Sequence, residues 1–184
     1  MTCGVPYLNA AELLLSAKAW QPVYHRTDTH WNAHGALIIY RAVMARLKAE
    51  NPALAYETYE NVMWQEQMHT GDLMRMWLPV GAEEESVTVP EITRAYRTKG
   101  PMRSVSDVVI QTESGQNTLR MCFIRDSFGD ALFPYFANNI GSLTFTRLAP
   151  ADALAAYAGD ADIVVLEIAE RNLSTLLSLH SAEN

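Results

Sequence analysis

Residues 119–139 read LRMCFIRDSFGDALFPYFANN, an apolar run that gives way to Arg125-Asp126-Ser127 and then to a second apolar run with helical spacing. A strand from Leu119 to Ile124 feeding a helix from about Gly129 to Asn138 is the signature of an α/β sheet, whose sites lie beyond the carboxyl ends of the strands. Ser127 stands at that junction, where a helix N-terminus offers backbone donors to an oxyanion. The same place suits a helix N-cap, because a serine hydroxyl can accept from the N–H groups of the first turn. RDSFG does not fit GxSxG, so the usual α/β-hydrolase elbow is not what is written here.

Working outward, strand-like runs recur at Asp107 to Thr112, Ser142 to Thr146 and Ile163 to Ile168, the last expected as a buried strand, with a short one at Ser86 to Val89. Helices are predicted at Ala10 to Lys18, at Ala33 to Lys48 (ended by Asn51 and Pro52) and at Ala151 to Ala158. Gly4 to Leu8 reads as a further short strand and Pro22 to Arg26 as an extended lead-in. Strands alternating with helices predict βαβ units, a mostly parallel central sheet and one domain over residues 1–184. Glu57 to Arg103 is the least regular part and is expected to form long loops. No internal repeat or heptad pattern is present.

The composition limits the function classes. Of 184 residues, 49% are hydrophobic and 19% charged, an ordinary globular balance. The net charge of −7 repels polyanions, which argues against a nucleic-acid partner. Cys3 and Cys122 are the only cysteines, too few for a disulfide framework or a CxxC metal pair. Cys122, inside LRMCFI, reads as a small core residue. The first residues, MTCGVPYLNA, lack a basic and apolar leader pattern, and no apolar stretch is long enough to span a membrane, so no membrane insertion is expected.

The second informative string is TDTHWNAHGA, residues 27–36. Asp28 and His30 are two apart, and in extended chain such residues point to one side, so a carboxylate can orient an imidazole. Asp28 could instead cap the approach to the following helix. His30 could be a structural residue beside Trp31, or pair with His34 as HxxxH around a metal, but the Glu of HExxH is missing and a third ligand would have to come from His25, Asp28 or elsewhere. We therefore expect no metal and no cofactor. His34 is expected to cap or pack at the start of the long helix. Arg94, Arg97, Lys99 and Arg103, with Tyr96 between, suit either an acidic sugar polymer or, more simply, a solvated loop. Met63, Met68, Met74 and Met76 with Trp64 and Trp77 read as loop packing, with an acyl or sugar pocket as the alternative.

Together, YHRTDTHWNAHGA, GDLMRMWLP, RDSFGDALFPYF and VVLEIAERNL resemble the SGNH-hydrolase-like acetyltransferase domain of the alginate O-acetylation proteins AlgJ and AlgX, over about residues 5 to 173. The resemblance implies a Ser-His-Asp triad of Ser127, His30 and Asp28. Its order is permuted relative to ordinary SGNH esterases, in which Ser comes first and DxxH last. It further implies an O-acetyltransferase acting on a bacterial exopolysaccharide, alginate-like, through an acetyl-serine. An acetylesterase with the same triad and a non-catalytic polysaccharide-binding or assembly subunit are the alternatives. The implied partners are a polysaccharide acceptor, an acetyl donor and a membrane acyl-transfer protein, and the implied compartment is the periplasm. Family members carry a signal or anchor segment and an opening strand and helix ahead of the matched region, and this chain is expected to begin after them. Arg125 stands where classical SGNH enzymes have the Gly of GDS. The candidate oxyanion and substrate contacts are accordingly the Ser127 N–H, Asn139, Asn172, Arg125 and Trp31.

Overall fold

A computed structural model of the chain describes residues 4–78 and 80–183; Cys3 lies outside them. The chain forms two compact units, one of Met1–Leu54 and Thr58–Glu91, the other of Ala55–Glu57 and Ile92–Asn184.

The first unit contains α1 (Ala10–Lys18), α2 (Ala33–Glu50), β1 (Trp64–His69), α3 (Asp72–Trp77) and β2 (Glu85–Pro90). Asn9 starts α1 by accepting from the Ala11 and Glu12 N–H groups, and Asn32 starts α2 by accepting from Gly35 N–H, so Asn32 supplies the helix cap and Asp28 does not. The apolar positions of α2 spaced three and four apart, including Ala36, Tyr40, Met44 and Leu47, form its buried face. Ahead of α2, residues 24–31 make a closed loop, pinned by a bridge between Tyr24 and Trp31 and by the His25 N–H donating to the His30 carbonyl at 3.2 Å. β1 and β2 pair antiparallel in a register that sets His69 opposite Glu85. Gly4 to Leu8 form no strand; Val5 and Tyr7 there are exposed, so no apolar face holds the segment against a sheet.

The second unit holds a mixed sheet ordered β3-β4-β6-β5-β7, with β3 Tyr96–Thr98, β4 Val109–Ser114, β5 Arg120–Ile124, β6 Ser142–Thr146 and β7 Ile163–Leu166. The strands β6, β5 and β7 run parallel, while β3 and β4 are joined antiparallel at one side, so the parallel character is confined to three of five strands. Alternation along β5 sends its residues to opposite faces. Phe123 packs with Phe136 of α4 (Phe133–Asn139) and with Phe145 of β6, at ring separations of 4.8 and 5.1 Å. Cys122 and Ile124 pack on the other face with Ala153 of α5 (Pro150–Tyr157). Truncating any one of these buried phenylalanines to Ala costs about 3–5 kcal/mol. β7 is not the buried strand expected: it is the last strand of the sheet, and Val164 and Leu166 are exposed.

Candidate active site

In the first unit the Asp28-Thr-His string is a bent loop and not the extended segment expected; the contact forms because the Asp28 side chain folds onto the backbone two residues on, as aspartates in turns do. Oδ1 of Asp28 accepts from the His30 N–H at 3.0 Å and lies 2.6 Å from His30 Nδ1. Oδ2 faces His69 Nε2 and accepts the Asp72 N–H, each at 3.1 Å. Burial works to raise the Asp28 pKa, but the hydrogen bonds from the side chain and N–H of His30, from Asp72 N–H and from His69 outweigh it and hold the carboxyl well below its ordinary range. An ionised carboxylate only accepts, so the ring nitrogens that touch it carry protons. His30 is then the Nδ1–H tautomer, and the lone pair of the neutral ring lies on Nε2, as a general base requires.

The surrounding residues hold this pair in place. Glu85, 8% exposed, accepts the Arg26 and Thr27 N–H groups at 3.0 and 2.9 Å and the Thr27 hydroxyl. Although burial raises the Glu85 pKa, the Thr27 hydroxyl and the two N–H groups bring it below the usual value. Asp72 accepts from the Thr29 N–H at 2.8 Å and from its hydroxyl at 2.5 Å. Gly71 lets α3 come this close: a Cβ there would stand 1.9 Å from the Thr27 carbonyl oxygen. His25 stacks on His69 with centroids 4.3 Å apart, and burial, then His69, lower its pKa. Among the described residues Asp28, His30 and Asp72 place potential ligand atoms within 4.8 Å of one another. Those atoms are already engaged in hydrogen bonds with one another and with Thr29, which accounts for the cluster without a metal. His34 packs, stacking on Trp64 at 3.8 Å and meeting the Thr88 hydroxyl at 2.9 Å.

In the second unit Ser127 follows β5 and precedes a short 3₁₀ helix, Phe128–Leu132, with helical backbone angles and no capping hydrogen bond from its side chain. The cap-like contact belongs to Asp126, whose Oδ1 accepts the Phe128 N–H at 2.9 Å. Its Oδ2 accepts the Ala169 N–H at 2.8 Å and the Asn172 amide at 2.7 Å, tying the chain after β5 to the chain after β7. Burial raises the Asp126 pKa, but the Ala169 and Phe128 N–H groups and Asn172 pull it below the ordinary value. Glu167 accepts the Asp126 N–H at 3.2 Å, and burial, then the Asp126 charge, push its carboxyl up to about 8. Gly129 is needed at this turn because a Cβ would approach Arg125 Cβ to 2.6 Å.

The other sequence candidates have structural work. Arg125 is 4% exposed, bonds Asp130 and the Val105 carbonyl, and lies over the Phe145 ring, a buried cation held by an acid, a carbonyl and an aromatic face. Asn139 accepts the Glu57 N–H at 2.7 Å and donates to the Tyr135 carbonyl at 2.9 Å, anchoring backbone inside the unit. Asn172 supports Asp126 and Trp31 is a core residue, 5% exposed. In the basic string Arg94 covers the Tyr96 ring, Lys99 pairs with Glu113, and Arg103 lies near Asp107. Met63, Met68, Met76 and Trp77 are exposed, so they do not supply the loop packing expected of them; Met68 lies on β1, and Met76 and Trp77 on a helix too short to bury all its faces. No site role was read for His69, Asp72 or Glu85, although Asp72 lies in the GDLMRMWLP string. The signal that could have found the first two is the HTGD string, a histidine and an aspartate around a glycine within an otherwise irregular stretch.

The five-stranded mixed sheet with its helices defines an α/β protein, and the family match gives its class as SGNH-hydrolase-like. The chain belongs to the family described as "SGNH hydrolase-like domain, acetyltransferase AlgX", which matches residues 2–115. Among solved structures it is similar to PatB1 of Bacillus cereus (16% identity, TM-score 0.62, 85% of this chain and 65% of that one). It is also similar to a DHHW family protein from Eubacterium siraeum (14% identity, TM-score 0.59, 84% of this chain and 61% of that one). The chain thus spans somewhat less than two thirds of the length of each. No curated protein matches it. No helix of the described residues is long and apolar enough to cross a membrane.

Proposed function

We propose that this chain carries an O-acetyltransferase activity directed at hydroxyl groups of a bacterial exopolysaccharide, of which alginate is one candidate, in the periplasm. His30, oriented by Asp28, removes the proton from Ser127 Oγ; the oxygen attacks the acetyl carbonyl, and His30 returns the proton to the departing donor. His30 then takes the proton of a sugar hydroxyl, which attacks the acetyl-serine; the Oγ–acetyl bond breaks, His30 returns the proton to Ser127 Oγ, and the O-acetyl sugar leaves. The N–H of Ser127 serves the oxyanion. The donor arrives from a membrane acyl-transfer partner.

The observation that carries this reading is the Asp28–His30 contact at 2.6 Å, which fixes the tautomer with its basic nitrogen on Nε2. Membership of an acetyltransferase family supports acyl transfer as the reaction class. The test is product analysis with p-nitrophenyl acetate as donor, with and without uronic-acid oligosaccharides. Acetylated sugar, lost in Ser127→Ala and His30→Ala, is expected. Acetate as the sole product at saturating acceptor would contradict transfer and leave a hydrolase.

A further inference from the structure

We infer that His69 is a positioning residue for the acid–base pair: by donating Nε2–H to the Asp28 oxygen that His30 does not use, it divides one carboxylate between two imidazoles and sets how tightly His30 holds its proton. The inference deepens the reading of His30 as the base and rests on it. The two imidazoles take different oxygens of Asp28, His30 Nδ1 at 2.6 Å from Oδ1 and His69 Nε2 at 3.1 Å from Oδ2. Both nitrogens must carry hydrogen, because the carboxylate can only accept. A second donor on a carboxylate stabilises its charge and so weakens its pull on the proton of the first imidazole.

His69 is held firmly enough to do this. It ends β1, and the register places it opposite Glu85, which anchors the Arg26 and Thr27 N–H groups of the same loop that carries Asp28. Its ring stacks on His25 at 4.3 Å with planes 25° apart. Three residues further on, the Asp72 N–H reaches the same Asp28 oxygen, so the HTGD string grips Oδ2 from both of its ends. The ionisable groups around Asp28 are therefore His25 and His30 from the loop, His69 from β1, Asp72 from α3 and Glu85 from β2.

The experiment follows the His30 ring C–H resonances against pH in the whole chain without substrate, in the wild type, His69→Phe and His69→Gln. Phe keeps a ring on His25 and removes the donor; the Gln amide keeps a donor where Nε2 stood. His69→Phe is expected to move the His30 titration up by about half to one pH unit, the equivalent of one ordinary hydrogen bond, and His69→Gln to leave it in place. Equal shifts in both variants, or none in either, would overturn the inference. So would ¹⁵N spectra of the wild type showing His69 as the Nδ1–H tautomer, a result that needs no variant. The acid limb of kcat/KM for acetyl transfer should follow the same order. A titration shift without any acetyl transfer would remove the proposed reaction and keep the positioning role; transfer with an unmoved titration would remove the role and keep the reaction.

Discussion

Asp28 shows how much one side chain can organise. Four donors converge on its carboxylate, two from His30, one from His69 and one from Asp72, and this set makes it both the orienting acid of His30 and the knot of its loop. Asp28→Asn keeps the shape but turns one acceptor into a donor, so at least one ring nitrogen must reverse its role. Acetyl transfer by Asp28→Asn is expected to fall by about 10³–10⁴ in kcat, measured in steady state, with far-ultraviolet circular dichroism unchanged. Retention of more than a tenth of the activity would contradict the assigned tautomer. The Asp28–His30 relation was legible in the sequence because two residues so close in the chain need no tertiary structure to meet. His69, Asp72 and Glu85 were not legible, because the β1–β2 register and the approach of α3 bring them to the loop from 41 to 59 positions away. The Asn139 contacts were not legible for the same reason: its amide donates to the Tyr135 carbonyl and its oxygen accepts the Glu57 N–H, pairings that spacing does not reveal.

At the scale of elements, the strand-to-helix order of 119–139 is as read, since β5 and α4 are strongly apolar and their periods differ, but α4 starts at Phe133 and a 3₁₀ turn, Phe128–Leu132, takes the place of the helix start expected near Gly129. Strand β6 fell on the expected residues, Ser142–Thr146. What failed was the irregular middle: β1 reads WQEQMH, mostly exposed and polar, and α3 is six residues long, so neither has the buried stripe that periodicity detects. The tightest joint between these elements is Gly71. Gly71→Ala would force α3 away from the Thr27 carbonyl, and with it the Asp72 N–H from Asp28. We expect a loss of about 1–3 kcal/mol in chemical denaturation and a larger fractional loss of transfer activity than Gly100→Ala, where a Cβ meets nothing within 4 Å. Equal, negligible effects of the two substitutions would contradict the close-packed joint.

At the scale of the whole molecule, opposing carboxyl shifts give stability a maximum in mildly acidic solution. Asp28, Asp126 and Glu85 titrate below their ordinary values in the folded chain, so the stability they contribute is present above the usual carboxyl pKa and is lost as pH falls through their folded values. Glu167 acts with the opposite sign. Its carboxyl is held up to about 8, so the folded chain keeps a proton that the unfolded chain releases from about 4.5 upward, and stability falls as pH rises across that interval. The slope from this one group approaches about 1.4 kcal/mol per pH unit. Thermal unfolding should therefore show a lower Tm at pH 8 than at pH 5.5, and Glu167→Gln, which cannot ionise, should narrow the difference. An unchanged difference in the variant would place the alkaline loss elsewhere. The α/β class could be read from the alternation of strands and helices; the antiparallel attachment of β3 and β4 could not, because their partners are set by topology and not by local pattern.

The account turns on Ser127 as the nucleophile. Rapid quenching of the chain with p-nitrophenyl acetate, digestion and mass spectrometry of the peptide that holds Ser127 tests it most directly. Acetyl on Ser127 in the wild type, accumulating in the absence of sugar acceptor and absent in His30→Ala, is the predicted result. Acetyl found only on another residue, with Ser127→Ala as active as the wild type, would contradict it.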